Sequence, residues 1–192
     1  INDGFHWCRS WIRYVNSIEN TEKHWYNKLG NSDKNALGGS GKGTFIEQIN
    51  EEQINQKLKE YEEDIRNMKI EYGVLIDDKG NVFAYKGTKY NLDITDRKLD
   101  NVILTHNHPE IGSFGKDDFE MIKNNPSIKE LRAVDKEYNY SLKLLKPIDI
   151  TYNELWIKSG DIMMRASEES QHCTMLKLEE MGYIKYVRSR KK

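Results

Sequence analysis

Val102-Ile103-Leu104-Thr105-His106-Asn107-His108-Pro109 is the stretch on which the reading of this chain turns, and Lys116-Asp117-Asp118-Phe119 follows it closely. An apolar run with two β-branched residues reads as a buried strand, and the abrupt arrival of polar side chains makes its end a candidate active centre. Side chains two apart in an extended segment share a face, so His106 and His108 can turn imidazole nitrogens toward one point. Pro109 stops the strand. A zinc ion takes about four ligands, and a catalytic one roughly three from protein, so the two histidines fall one short. Asp117 and Asp118 open a predicted helix over 117–124, close enough along the chain to fold back beneath the histidines, and Asp118 is the candidate third ligand. The alternative makes His106 and His108 ordinary strand-end residues and the acidic pair a helix cap.

Outward from this stretch, Tyr72 to Ile76 and Val82 to Tyr85 are β-rich runs separated by Asp77-Asp78-Lys79-Gly80-Asn81, a hairpin signal that also accounts for the two aspartates. Thr44 as N-cap and Glu47 as its capping-box partner predict a long helix from Phe45 to about Met68, with an apolar stripe of Ile49, Ile54, Leu58, Tyr61, Ile65 and Met68. A polar loop runs from Gly87 to Asp100 and is long enough to bear on substrate access. Leu131 to Val134 and Tyr140 to Leu145 complete a mixed sheet, which Pro147 ends. Beyond it, Leu155, Trp156, Ile162, Met163, Ala166, Cys173, Leu176 and Met181 recur at roughly helical intervals, broken at Gly160 and capped at Gly182. Met163, Met164 and Met175 read as core filling, and His172 and Cys173, being adjacent, face different sides of a helix. The tail from Lys185 to Lys192 is basic and reads as solvated, with contact to nucleic acid or an acidic partner as the alternative.

The spaced set Glu71, His106-Asn107-His108-Pro109 and Asp118 resembles the motif of the JAMM (MPN+) metallopeptidases, a distant Glu, then His-x-His-Pro, then Ser-x-x-Asp. The resemblance covers roughly Lys57 to Lys146. It implies that His106, His108 and Asp118 bind zinc, and that Glu71, in Ile70-Glu71-Tyr72-Gly73-Val74, takes a proton from the activated water. It also implies peptide or isopeptide substrates and an α/β fold, a mixed sheet flanked by helices in a JAMM/deaminase-like sandwich, with extra N- and C-terminal helices. One position departs from the motif. Gly115 stands where the family has the Ser that helps hold the tetrahedral intermediate, and Ser113 lies nearby out of register, so catalysis is put in doubt more than metal binding. The wider run through Phe114-Gly115-Lys116-Asp117-Asp118-Phe119 to Leu131-Arg132-Ala133-Val134-Asp135 is also similar to a domain of phage head-morphogenesis proteins. That likeness implies phage structural proteins as partners and a host-cytoplasmic or virion-associated location.

Composition narrows the classes. The 192 residues suit one domain of about 44–147, preceded by an N-terminal helix and connection (1–43) and followed by a helical extension with a basic tail (148–192). Thirty basic against thirty-one acidic side chains leave a net charge of -1, which argues against a global pull toward nucleic acid. Charged residues make up 32% of the chain and aromatics 10%, the balance of a soluble protein with solvated helices rather than a disordered one. Cys8 and Cys173 form no CxxC pair and carry neither a disulfide framework nor a thiolate site. No apolar run approaches the roughly 20 residues that span a bilayer. The chain starts with Ile rather than Met, which reads as a piece of a longer polypeptide.

Toward the start, Trp7, Trp11, Val15 and Ile18 share one helical face, with Cys8 and Ile12 beside them, as on a docked helix. His6 and His24 have no ligand-spaced neighbours. Residues 27–43 read as a flexible connection that includes Gly38-Gly39-Ser40-Gly41-Lys42-Gly43-Thr44, a phosphate-loop look-alike. It lacks the hydrophobic strand that must precede such a loop, and Ala36 replaces the motif's first glycine.

Three functions follow: a zinc-dependent peptide or isopeptide hydrolase, a non-catalytic assembly module that keeps the fold, and a metal-dependent nuclease or toxin effector. The Pro-Cys-x-x-Cys half of the base-deaminase pattern is absent.

Overall fold

Strands β1 (Thr44–Gln48), β2 (Tyr72–Ile76), β3 (Asn81–Lys86), β4 (Ile103–Asn107), β5 (Glu130–Val134), β6 (Tyr138–Leu144) and β7 (Ile184–Arg190) form one sheet, ordered β1-β3-β2-β4-β5-β6-β7. Helices α1 (Ile54–Ile65), α2 (Lys116–Asn124), α3 (Tyr152–Lys158) and α4 (Ser170–Glu180) flank it. These elements come from a computed structural model that describes residues 41–160 and 169–191. The architecture is α/β with a mixed sheet.

Neighbouring strands pair antiparallel except β4 and β5, which are parallel. Parallel neighbours need a crossover, and α2 makes it. The N-terminus of α2 is thereby set near the end of β4, where ligands bind in open α/β sheets.

The β2–β3 turn forms as its sequence predicts. The Asp77 carboxylate accepts the backbone N–H groups of Lys79 and Asn81 at 2.9 and 2.8 Å. Gly80 takes a left-handed φ of 77°, and a Cβ there would meet the Ile49 carbonyl oxygen at 2.0 Å.

β4 is buried along its whole length and serves two cores, because its side chains alternate. Thr105 faces α1, where Leu58, Tyr61 and Ile65 are buried. Leu104 belongs to the opposite core, with Phe114, Phe119, Ile122, Leu155 and Leu178. Each such side chain contributes about 1.5–3 kcal/mol when removed from water.

Three expectations are corrected. The long helix from Phe45 is instead β1, a 3-10 turn at Glu51–Gln53, and α1 from Ile54. The capping box is not Thr44 with Glu47 but Asn50 with Gln53, whose side chains and backbones bond reciprocally. Thr44, Phe45 and Ile46 are good strand formers, and an open β3 edge to pair with outweighed the local cap signal. Second, the basic tail is not merely solvated: residues 184–190 add β7 to the sheet through a seven-pair ladder with β6. The 148–192 region thus supplies a strand as well as helices, within one compact unit that spans Leu37–Lys192. Third, no helix follows the glycine-rich segment. Gly41 accepts from the Thr95 N–H and Gly43 donates to Asp96, so its described part is docked on the 93–97 loop.

The helix expected to carry Trp7 and Trp11, together with Cys8, His6, His24, Met163 and Met164, lies outside the described residues. Met175 fills the core and Gly182 caps α4 with a φ of 74°, as expected. Among the described residues, no helix is long and apolar enough to cross a membrane.

Candidate metal centre

The end of β4 and the first turn of α2 bring His106, His108 and Asp118 together. His106 Nε2 lies 2.9 Å from His108 Nε2 and 3.0 Å from Asp118 Oδ1, and His108 Nε2 lies 3.5 Å from Asp118 Oδ2. All three are largely buried, with 3%, 13% and 14% of their side-chain surface exposed. The group can hold a metal ion, since one ligand atom from each residue lies within 4.8 Å of the others.

Local structure fixes two of these side chains. Asp118 is the third residue of α2, and its Oδ2 accepts the Gly115 N–H at 2.9 Å, so the carboxylate is tied to the helix start while its other oxygen faces His106. His108 Nδ1 donates to the Gly112 carbonyl at 2.7 Å, which leaves the Nε2 lone pair for an ion in the neutral ring. Gly112 is itself held, because its N–H donates to the buried Asp135 carboxylate at 3.1 Å. Asp135 also accepts Tyr140 Oη at 2.7 Å and the N–H groups of Glu137 and Tyr138.

His106 differs. Its Nδ1 is buried with no hydrogen-bond partner among the described residues, so its ring is set by packing near Phe114 and by what Nε2 faces.

The electrostatics follow from this crowding. Burial works to depress the His108 imidazole, but the Asp118 carboxylate beside it, aided by the Gly112 carbonyl, lifts its pKa to about 9. Burial works to raise Asp118, and the two imidazoles override it and hold the carboxyl far below the usual carboxylate range. Glu71 goes the other way. Burial raises its pKa, opposed by the histidines and reinforced by Asp118 and Asp117.

Glu71 lines the same cleft, of about 340 Å³, as His106, His108 and Asp118. The β2–β4 ladder ends with Gly73 paired to His106, which brings Glu71, two residues before Gly73, to the cleft. The segment is clamped by Asn107, whose side chain points to the other face of β4. Its Oδ1 accepts the Tyr72 N–H at 2.7 Å, and its Nδ2 donates to the Ile70 carbonyl at 3.0 Å. Sequence reasoning passed over Asn107, although its place between two face-sharing histidines already turned it to the opposite side.

Ser113 and Gly115 also line the cleft, yet their donors are engaged. Ser113 Oγ pairs with Tyr186 Oη at 2.8 Å, its N–H donates to Glu169, and the Gly115 N–H serves Asp118. His172 stands outside the group and pairs with Tyr186 at 2.9 Å. Gln171, at the start of α4, was the other omission. It closes one wall of the cleft from a helix 53 residues beyond Asp118 in sequence, too far for local pattern to reveal.

Comparison of the chain with the profiles of known families, with curated proteins and with solved structures finds no match.

Proposed function

We propose that this chain is a zinc-dependent hydrolase of peptide or isopeptide bonds, built on a JAMM-like α/β domain. One observation carries the reading: two imidazoles and a carboxylate converge in a cleft that a second acid, Glu71, also lines. Zinc–ligand bonds of about 2.0–2.1 Å give a tetrahedron whose edges are about 3.3 Å. His106 Nε2 lies 2.9 Å from His108 Nε2 and 3.0 Å from Asp118 Oδ1, slightly inside that edge, and Asp118 presents its other oxygen 3.5 Å from His108 Nε2.

His106, His108 and Asp118 would hold the ion. When bound, a zinc ion supplies Lewis acidity, which lowers the pKa of water toward about 7 and stabilises negative charge as it develops. Glu71 accepts the proton of the attacking water. Its carboxylate lines the cleft beside the three ligands, and it returns the proton to the leaving amine. Asn107 keeps the Glu71 segment in register, and Gly112 with Asp135 keeps the His108 ring in its tautomer.

The engaged donors of Ser113 and Gly115 favour a second reading, a non-catalytic assembly module such as a part of a phage head protein. Two measurements separate them. Elemental analysis of protein purified without chelator is expected to give one zinc per chain, and a screen of quenched peptides and fluorogenic isopeptides is expected to find turnover. Glu71→Gln should then lower kcat by about 10²–10⁴-fold with zinc retained. Zinc without turnover on any of these substrates would favour the assembly module.

A further inference from the structure

We propose that Gln171 supplies the hydrogen bond that stabilises the oxyanion during hydrolysis, an inference that rests on the hydrolase reading. Attack of water on an amide pushes the carbonyl π pair onto oxygen, and a preorganised donor aimed at that oxygen is commonly the largest protein contribution to such a step. Polar groups close to the candidate ligands are already paired: the Gly115 N–H with Asp118, the Gly112 N–H with Asp135, and Ser113 Oγ with Tyr186 Oη. Asn91 Nδ2 donates to Asp93 and Lys89 pairs with Glu110, and Tyr90 and Lys116, which also line the cleft, are exposed. The Gln171 carboxamide lines the cleft and makes no hydrogen bond to a described residue.

Its position is set by two glycines. A Cβ on Gly112 would sit 2.6 Å from Gln171 Oε1, and a Cβ on Gly115 would sit 3.3 Å from Gln171 Nε2 and 4.0 Å from Asp118 Oδ2. The amide therefore lies across the bare backbone of both, with its acceptor end over Gly112 and its donor end over Gly115, on the Asp118 side. Any side chain at residue 112 would displace it. Two residues earlier the Glu169 carboxylate accepts the Ser113 N–H, which ties the entry to α4 to the cleft.

The step balances without proton transfer from Gln171. The water oxygen bonds to the carbonyl carbon, its proton passes to Glu71, and Nε2–H donates to the new oxyanion. On collapse the C–N bond breaks and the Glu71 proton goes to the departing nitrogen.

The test compares the zinc-loaded full chain with Gln171→Met, which keeps length but has no N–H, and with Gln171→Glu. Expected for Gln171→Met is a loss in kcat of about 10²-fold with KM changed far less. Affinity for a phosphinic pseudopeptide, whose tetrahedral anion resembles the oxyanion, should fall by a similar factor, whereas zinc content and the visible spectrum of the cobalt-substituted protein stay as in wild type. Gln171→Glu should lose at least as much. Gly115→Ser in a Gln171→Ala background should recover part of the loss, since its hydroxyl would enter the space that Nε2 leaves. Gln171→Met with kcat and phosphinate affinity within twofold of wild type overturns the assignment while the hydrolase reading stands. So does a loss that tracks zinc content. A wild-type chain without zinc or turnover overturns both.

Discussion

Two buried carboxylates flank β4, one on each face, and they are neutralised in opposite ways. Glu62, reaching from α1, meets Arg132 in a two-pronged pair at 2.6 and 3.1 Å, and Thr105 donates to the same carboxylate at 3.1 Å. Arg132 is also paired with Glu130, which takes Lys143 as well. Each charge there is met by a protein partner. Asp118, reaching from α2, meets two imidazoles whose nitrogens crowd toward one point, in a cleft open to substrate. One cluster is closed by arginine, which cannot give up its proton. The other is closed only by groups that can exchange protons for a metal. Burial of charge alone therefore does not mark a site; the nature of the counter-charge does.

The sharpest way to break this contrast is to remove each acid in turn. Asp118→Ala takes away one of three protein ligands, and a proportionate share of the roughly 10–16 kcal/mol that holds zinc in protein sites is about 4 kcal/mol. Zinc affinity should fall by on the order of 10³-fold in a chelator-competition titration, with the fold kept. Glu62→Ala should leave zinc affinity within threefold and instead destabilise the fold by about 1–3 kcal/mol, because Thr105 loses its acceptor and Arg132 keeps only Glu130. For a chain of this size that is roughly a 5 °C fall in Tm. Equal effects of both substitutions on zinc binding would erase the distinction drawn here.

How much of this was legible in the sequence depends on how local the signal was. Period-two spacing gave His106 and His108, and the acidic start of α2 gave Asp118, because strand alternation and helix capping act over a few residues. Glu71 could be placed only through its likeness to a known motif, since the pairing of Gly73 with His106 is a long-range event. β1 was missed because Thr44 and Glu47 imitate a capping box, and edge pairing overruled it. β7 was hidden beneath its lysines and arginines, although Ile184 and Tyr186 alternate with Lys185 and Val187 as an edge strand should. Gln171 and Asp135 reach the centre only through tertiary contacts, and no window of sequence contains them together with His108.

Asn107 offers the finest discrimination between the two faces of β4, because it lies on the α1 side by geometry but serves the metal side by what it holds. Its carboxamide is fully buried and bridges the Ile70 carbonyl and the Tyr72 N–H on either side of Glu71. Asn107→Ala strands those two backbone groups, at a cost of about 1–3 kcal/mol in stability. The more telling effect is on the Glu71 segment, which would then be held by the Thr88 carbonyl and the Gly87 N–H alone. Zinc affinity should be unchanged, since the Asn107 side chain faces away from the three ligand side chains and bonds none of them, while kcat falls about tenfold, the loss expected when a proton acceptor drifts by a fraction of its hydrogen-bond range. Asn107→Asp separates positioning from packing. It keeps the acceptor for Tyr72 but turns a carboxylate toward the Ile70 carbonyl, so it should lose more stability than the alanine variant without a matching gain in activity. If Asn107→Ala lowers zinc affinity as strongly as Asp118→Ala, the two faces are not independent and β4 behaves as a single coupled element.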